Sequence, residues 1–253
     1  MPKRLAVLLL SAIGLAQAWQ QPGGQLKKPL IYEIGETVHI NATGSRPLLQ
    51  AIEALQQKYG WAISYEDPQY PPDAPGTANA PSPPNRRHAY FADRQDGGFS
   101  VQFSRGPNGK PEEASVLRTV IEAYNQSNGT AEFKLEESAG SFAVIGVGVR
   151  GANNQIEEQQ PVLSLPISLP SQQRTVTDTI SLICRGASEA GKVSVSLAVD
   201  PGQLATLKTV VGGDSEAART LLTRTLESAG NGLYWQLLYD VSGKGFLLTV
   251  RSQ

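Results

Sequence analysis

A helix followed by a glycine and a strand occurs twice in this chain, and this repetition restricts the possible folds more than any other feature. The first copy, PLLQAIEALQQKYGWAISYE, spans residues 47–66, and a looser copy, TVTDTISLICRGASEAGKVSVSL, spans residues 175–197. Apolar residues three and four positions apart form one face of a helix, and glycine readily adopts the left-handed conformation that ends one. In the first copy the apolar residues are Leu48, Ile52, Leu55 and Tyr59, and Gly60 follows them.

The N-terminal half of the chain extends this unit into a longer series of elements. Residues 38–42 alternate between apolar and polar and predict a strand, after which Ser45 is expected to cap a helix that has Pro47 as its second residue. The later elements are predicted as strands near residues 61–65, 99–103, 131–137 and 142–147, and as a second helix that starts at residues 111–113. The predicted order is strand, helix, strand, strand, helix, strand, strand.

The C-terminal half repeats this order with fewer insertions. Residues 162–170, VLSLPISLP, are expected to supply a first strand that Pro166 interrupts, which favours a position at a sheet edge. An alternating strand at residues 193–199 follows the helix of the second copy, and Asp214 or Ser215 is expected to cap another helix. The strands LYWQLLYD and FLLTVRS, on either side of a glycine-rich turn, predict a closing hairpin.

These elements predict an α+β fold of two tandem small modules, each with two helices packed on short β-sheets in a βαββαβ-like order. The first module is expected at residues 33–150 and carries a proline-rich insertion at residues 67–97. Residues 151–161 are polar and are expected to form a linker, and residues 162–253 form the second module. A single larger α+β domain is the alternative.

The proline-rich insertion cannot continue a regular helix or sheet, because proline lacks the amide donor and fixes φ. It is expected to be a solvated insertion, and a polyproline-type ligand for a partner protein is the alternative. Arg86, Arg87 and His88 at its end are expected to form a solvated basic turn, and an anion-binding site is the alternative.

The first 18 residues have the pattern of a secretory signal peptide. Lys3 and Arg4 precede a short apolar stretch that ends in Ala16-Gln17-Ala18, an A-x-A cleavage site. The apolar stretch is shorter than the about 20 residues that span a bilayer, and no later apolar stretch of the chain is long enough to do so. The mature protein is therefore expected to be exported, periplasmic or extracellular, without a transmembrane segment.

The charge balance and the reactive residues narrow the functional classes. Without Lys3 and Arg4 the chain has 20 basic residues against 23 acidic ones, a net charge near −3 that offers no basic field for nucleic acid. Cys184 is the single cysteine and is expected to be a buried core residue, with a reactive thiol as the alternative. We therefore expect no intrachain disulfide.

The residues that could carry chemistry are few and scattered. His39 and His88 are the only histidines, and no metal-ligand spacing accompanies them. The carboxylate pairs Glu66-Asp67 and Glu136-Glu137 fall at strand ends, where adjacent side chains point to opposite faces. We therefore assign no catalytic, cofactor-binding or metal-binding residue and expect a non-enzymatic protein, without excluding acid and base groups that converge from distant segments.

The order and spacing of these apolar and glycine positions resemble the short N-terminal domain of secretins and TonB-dependent receptors. Two diverged tandem copies would cover most of the mature chain, although the proline-rich insertion is not typical of that family and no secretin pore or outer-membrane barrel follows before Gln253. The matching positions are Leu48, Ile52, Leu55, Gly60, Ile63, Tyr65, Phe99, Val101, Leu117, Ile121, Gly129, Phe133, Leu135 and residues 142–147 in the first copy, and Val176, Ile180, Gly191, Val193, Val195, Leu221, Leu222, Gly230, Tyr234 and Phe246 in the second.

The resemblance implies small αβ modules that bind other envelope proteins, and it implies no catalytic residue and no cofactor. We expect an exported adapter of the bacterial cell envelope that docks a protein partner through exposed sheet edges or a helix face. An exported hydrolase or a small-ligand-binding protein with an unrecognised site is the alternative, motivated by the scattered carboxylates and His88. An interaction role for the proline-rich insertion alone is the third possibility.

Overall fold

The structure is a computed structural model that describes residues 30–71, 96–106, 108–127, 129–138, 140–151, 153, 155–198, 204–230 and 232–253. The predicted signal peptide, most of the proline-rich insertion with His88, and Val199 of the predicted strand at residues 193–199 lie outside these residues. The described residues form four α-helices and several β-sheets. The prediction of an α+β fold is therefore confirmed.

Eight elements make up the N-terminal half, and a short strand follows them. They are β1 (Ile31–Ile34), β2 (Thr37–Gly44), α1 (Pro47–Tyr59), β3 (Ile63–Glu66), β4 (Asp96–Ser104), α2 (Glu113–Gln126), β5 (Ala131–Ser138) and β6 (Ser141–Arg150), and then β7 (Ile156–Glu158). The short β7 lies inside the predicted linker at residues 151–161 and pairs with the end of β6.

The C-terminal half begins with a short 3-10 turn and continues through two further helices. Its elements are the turn Val162–Ser164, β8 (Pro166–Thr175), α3 (Val176–Gly191), β9 (Ser194–Leu197), β10 (Lys208–Ala217), α4 (Ala218–Ala229), β11 (Leu233–Asp240) and β12 (Gly245–Ser252). The predicted closing hairpin is present, since β11 and β12 pair antiparallel along their whole length.

One large sheet contains strands from both halves. Its strand order is β5-β6-β3-β11-β12-β9, with β7 added to β6. The strands β3 and β11 are parallel neighbours, with Tyr65 opposite Gln236 and Glu66 opposite Leu237. We call this junction the seam. The sequence pattern did not predict it, because alternation within a strand does not identify the strand beside it.

Two smaller sheets lie outside the large one. The strands β1, β2 and β4 form an antiparallel sheet in that order, and β8 pairs antiparallel with β10. The residues of the predicted apolar stripes are buried, except Tyr59 at the end of α1, which is half-buried. Leu55 of α1, Leu117 of α2, Ile183 of α3 and Leu222 of α4 are each at most 1% exposed.

The helix pairs approach the large sheet from both sides. Tyr65 of β3 stacks on Phe133, which in turn packs edge-on against Tyr124 of α2. The next residue, Glu66, contacts Arg219 of α4 instead. Because adjacent residues of a strand point to opposite faces, α2 and α4 lie on opposite faces of β3.

The predicted helix caps are wrong in two places. Arg46, not Ser45, occupies the N-cap of α1 in a left-handed conformation (φ 50°, ψ 57°), so Pro47 is the first helical residue rather than the second. Asp214 and Ser215 lie in β10, and α4 starts three residues after Ser215, with Ala217 as its N-cap. The Asp214 carboxylate accepts a hydrogen bond from the Ser168 hydroxyl (2.6 Å), so its partner is the neighbouring strand and not the helix end.

The predicted interruption of the first C-terminal strand is also wrong. Pro166 is the first residue of β8, and the strand runs on to Thr175. Proline is compatible with that position because the first residue of a strand can do without its amide donor. The preceding residues 162–164 form the short 3-10 turn.

Candidate functional site

Two adjacent carboxylates are buried at the end of β3. Glu66 is 0% exposed and Asp67 is 1% exposed. Ionised carboxylates are stable in a protein interior only with charged or hydrogen-bonding partners. As expected for strand neighbours, the two side chains point to different faces, and each has its own arginine.

Glu66 joins β3 to the start of the C-terminal half. Its Oε2 accepts a hydrogen bond from Nη2 of Arg219 (2.7 Å), and its Oε1 accepts one from the backbone amide of Leu163 (3.0 Å). Arg219 also forms an ion pair with Glu136 of β5. Burial raises the pKa of Glu66 above its ordinary value, against the opposing effect of Arg219 and the Leu163 amide.

Asp67 joins β3 to α1 and to β11. Its carboxylate accepts hydrogen bonds from Nε of Arg46 (2.8 Å), the Tyr65 hydroxyl (2.9 Å) and the backbone amide of Tyr239 (3.0 Å). Arg46 also donates from Nη2 to the carbonyl oxygen of Tyr239 (2.8 Å). A left-handed residue other than glycine costs roughly 1–2 kcal/mol. These contacts offset that cost at Arg46.

The paired carboxylates therefore stabilise the seam from both faces of the large sheet. Neither Glu66 nor Asp67 reaches solvent, so a substrate in solution does not contact them. Their partners Arg46 and Arg219 were not identified from the sequence. The signal that could have drawn attention to them is the sequence SYED, in which two acidic residues directly follow the apolar part of a buried strand.

A cleft of about 700 Å³ opens between the end of β5 and the start of α4. We call it the edge cleft. Arg219 lies in it, with Glu136 on one side and the threonines of α4 on the other. The residues that line it are Leu135, Glu136, Glu137, Ser138, Ser164, Ala217, Arg219, Thr220, Thr223, Arg224 and Glu227. The lining contains both acidic and basic side chains beside hydroxyl groups, a mixture suited to polar segments of another chain.

The strand β5 is the outermost strand on this side of the large sheet among the described residues. Asn125 of α2 makes two bonds to the backbone of Phe133, to its amide (3.1 Å) and to its carbonyl oxygen (2.8 Å). Phe133 therefore turns its backbone groups away from β6. Because the direction of these groups alternates along an antiparallel strand, Leu135 and Glu137 also turn theirs outward, next to the edge cleft.

A second groove, of about 430 Å³, lies at the C-terminal end of α1. Trp61 and Tyr234 line it together with Glu53 and Arg251. A smaller cavity of about 190 Å³ lies beside Trp235, under the C-terminal part of α4. The described residues that line these two spaces include no histidine and no cysteine.

Of the residues considered from the sequence, the structure brings Glu66 and Glu136 together at Arg219, and the other described ones lie apart. His39 of β2 is half-buried, and its ring stacks on Tyr32 at 5.1 Å between centroids. Glu137 forms an ion pair with Arg118 of α2, on a different side of β5 from the pair between Glu136 and Arg219. In the part of the chain that the structure describes, no three His, Cys, Asp or Glu side chains are grouped closely enough to hold a metal ion.

Cys184 is buried in α3, as predicted, with 3% of its surface exposed. Burial raises the pKa of its thiol to about 12. We expect a thiol reagent such as dithionitrobenzoate to leave the native protein unmodified at about pH 8, because the thiolate is the reactive form. The same reagent should modify one thiol per chain in guanidinium chloride. Rapid modification of the native protein would contradict the burial of this residue.

No helix among the described residues combines the length and the apolar character that crossing a membrane requires. Comparisons of the chain with protein-family models, with curated proteins and with solved structures found no match. Its function therefore has to be inferred from its own residues.

Proposed function

We propose that the chain is built from two copies of one βαββαβ-like module, related in fold to the short N-terminal domain of secretins and TonB-dependent receptors. From β2 to β6 the N-terminal half has the element order strand, helix, strand, strand, helix, strand, strand, and the C-terminal half has the same order from β8 to β12. The N-terminal half has two further strands, β1 before this series and β7 after it. The large sheet supports the same division. Its order β5-β6-β3 in the N-terminal half corresponds to β11-β12-β9 in the C-terminal half, with the hairpin first and the strand after the first helix last.

The ends of the first helices give independent support for the repeat. Gly60 after α1 and Lys192 after α3 both have left-handed backbone angles. In both halves, the residue four positions before the left-handed one has a polar side chain. This side chain bonds to the backbone of the residue three positions after the left-handed one. Gln56 donates to the carbonyl oxygen of Ile63 (2.8 Å), and the Ser188 hydroxyl accepts from the Val195 amide (2.8 Å).

We further propose that the protein is an exported, non-enzymatic adapter of the bacterial cell envelope and that β5 is its docking edge. The observation that carries this proposal is the outward direction of the backbone groups of Leu135 and Glu137 on the outermost strand. An extended segment of another protein can add to such an edge by forming main-chain hydrogen bonds.

The edge cleft favours a polypeptide segment over a small molecule. It is open, charged and hydroxyl side chains contribute to its lining, and it runs beside the outward-facing backbone of β5. A strand added to β5 would place alternate side chains next to Glu137 and Arg224. Main-chain bonds would then supply affinity, and these charges would select the partner.

We expect Glu137→Pro to weaken partner binding at least tenfold, because proline removes the outward amide and its ring obstructs an added strand. The side chain of Glu137 is 44% exposed and its amide does not face β6, so the fold should persist. The measurement is crosslinking in the native cells, followed by affinity purification of tagged protein.

The matched control is Glu137→Gln, which removes the same charge and keeps the amide. We expect it to retain the crosslinked envelope proteins that Glu137→Pro loses. Equal recovery of the same proteins with both variants would contradict docking at β5. Equal circular dichroism spectra and melting temperatures of the two variants would show that the difference does not come from unfolding.

A further inference from the structure

The seam joins two different sheet edges. The N-terminal half contributes β3, which follows its first helix, and the C-terminal half contributes β11, the first strand of its closing hairpin. The outermost strands of the large sheet among the described residues are then β5 and β9. In the proposed repeat, β5 corresponds to β11 and β9 corresponds to β3. Each free edge is therefore the counterpart of an edge that is paired inside the chain.

The backbone groups of the free edges correspond as well. On β11, Trp235, Leu237 and Tyr239 direct backbone groups across the seam, to Ser64 and to Asp67. The corresponding outward positions on β5 are Phe133, Leu135 and Glu137. On the other side, β3 and β9 each have four residues.

The side-chain contacts at these edges leave room for pairing. Gln56 bonds to the carbonyl of Ile63 at the beginning of β3, and pairing with β11 begins two residues later, at Tyr65. Ser188 occupies the corresponding place on Val195 of β9. This contact therefore leaves Leu197 open to pairing in the same way.

We propose that copies of this chain associate head to tail, with β9 of one copy parallel to β5 of the next. The register that repeats the seam places Leu197 opposite Lys134 and Ala198 opposite Leu135. This inference rests on the proposed docking role of β5 and names its partner as a second copy of the chain. The seam supplies the geometry, since the same two kinds of edge already pair there.

Strand directions determine the kind of assembly. β3 is parallel to β6 and to β11, whereas β12 and β9 are antiparallel to β11. Corresponding strands of the two halves thus run in opposite directions while their order across the sheet is unchanged. If the N-terminal half of the next copy follows the C-terminal half in the same relation, the strand directions reverse a second time. The next copy then has the same orientation as the first and is displaced along the sheet. A contact of this kind is heterologous and does not close, so it produces open chains of molecules.

The pairing between copies is weaker than the seam. Glu66, which carries the ion pair with Arg219, corresponds to Ala198, the residue directly after β9, so the charged contact has no counterpart there. A short edge with few main-chain bonds and no buried ion pair gives a small, transient interface. Association should therefore be reversible and should increase with protein concentration.

The test uses two single-cysteine additions, Lys134→Cys and Leu197→Cys, in the full chain. Cys184 is buried and can remain. The two variant proteins are purified separately, checked for an unchanged melting temperature, mixed and oxidised. We expect at least tenfold more mixed dimer than dimer of either variant alone, and a ladder of higher species from a protein that carries both substitutions. Adding Glu137→Pro to the Lys134→Cys protein should abolish the mixed dimer, and adding Glu137→Gln should not.

Two outcomes would overturn the proposal. A Lys134→Cys protein that crosslinks to itself as readily as to the Leu197→Cys protein would indicate an isologous contact between β5 strands. Absence of mixed dimer would exclude the pairing. If Leu197→Cys lowers the melting temperature, the crosslinking test is replaced by sedimentation, in which the average masses of the wild-type and Glu137→Pro proteins are compared. The average mass should then rise with concentration in the wild type alone, and equal masses would overturn the proposal.

The same experiments separate this inference from the adapter function. Envelope proteins that are captured through β5 and lost in Glu137→Pro, together with no mixed dimer, would support the adapter and overturn self-association. A mixed dimer without any captured envelope protein would support self-association as the role of β5 and overturn an envelope partner.

Discussion

Arg219→Met is expected to destabilise the protein by about 3–5 kcal/mol, because it leaves the fully buried carboxylate of Glu66 without its positive partner. The side chain of Arg219 is 11% exposed, so little solvent can replace the lost guanidinium. The melting temperature should fall by on the order of 10 °C. Thermal and urea unfolding, followed by circular dichroism, measure the change.

Two control variants separate this effect from a loss of surface charge. Arg224 lies on the same helix as Arg219, and Arg224→Met removes its exposed ion pair with Glu216 of β10. This variant should cost less than about 1 kcal/mol. Glu66→Gln combined with Arg219→Met removes both charges and keeps an acceptor for the Leu163 amide. The double variant should be more stable than Arg219→Met alone. Equal destabilisation by Arg219→Met and Arg224→Met would show that the buried pair is unimportant.

The pH dependence of Arg219→Met follows from the pKa of Glu66. Burial already raises this pKa in the wild type, and removing Arg219 removes a group that opposes the rise. A group whose pKa is higher in the folded than in the unfolded state favours folding while it is protonated, and this advantage is lost as the pH rises through the folded-state pKa. The loss of stability should thus be smaller at about pH 5 than at about pH 8.

Trp235→Ala is the second substitution for which we expect a large effect, about 3–5 kcal/mol of lost stability. Trp235 is 2% exposed and is among the largest side chains of the core. It lies on β11 beside the seam, where its backbone amide contacts the Ser64 hydroxyl (3.3 Å). Alanine would leave a cavity next to an existing space of about 190 Å³, so collapse of the neighbouring atoms cannot fill it.

Trp61→Ala is the matched control, since Trp61 is only half-buried, at the edge of an open groove. We expect it to cost clearly less than Trp235→Ala. In the Trp235→Ala protein, both halves should still unfold in one transition, because the seam makes them parts of one sheet. A separate early transition of the C-terminal half would contradict a cooperative seam.

The apolar pattern predicted the helices well and their ends less well. The stripes at Leu48, Leu117, Ile180 and Leu222 are all buried, because a period of 3.6 residues identifies the buried face of a helix without reference to its neighbours. The caps at Ser45 and Asp214 were wrong because several residue types can occupy a cap, and contacts distant in sequence decided between them.

The candidate site was accessible to sequence reasoning only in part. The sequence located Glu66-Asp67 and Glu136-Glu137 at strand ends and gave the directions of their side chains. It did not identify Arg219, which lies 153 positions from Glu66. Nor could it show that β5 is outermost, because the order of strands in a sheet depends on how the two halves meet.

The sequence by itself determined the α+β class, the four helices and most of their buried residues, because these depend on the periodicity of apolar residues over short segments. Tertiary structure alone decided that β3 and β11 join the halves into one sheet and that two arginines neutralise the carboxylates at this seam. It also decided that β5 and β9 are the outermost strands of this sheet among the described residues. Pairing between distant strands is made by backbone groups, which differ little from residue to residue. Local sequence patterns therefore do not identify the partner of a strand.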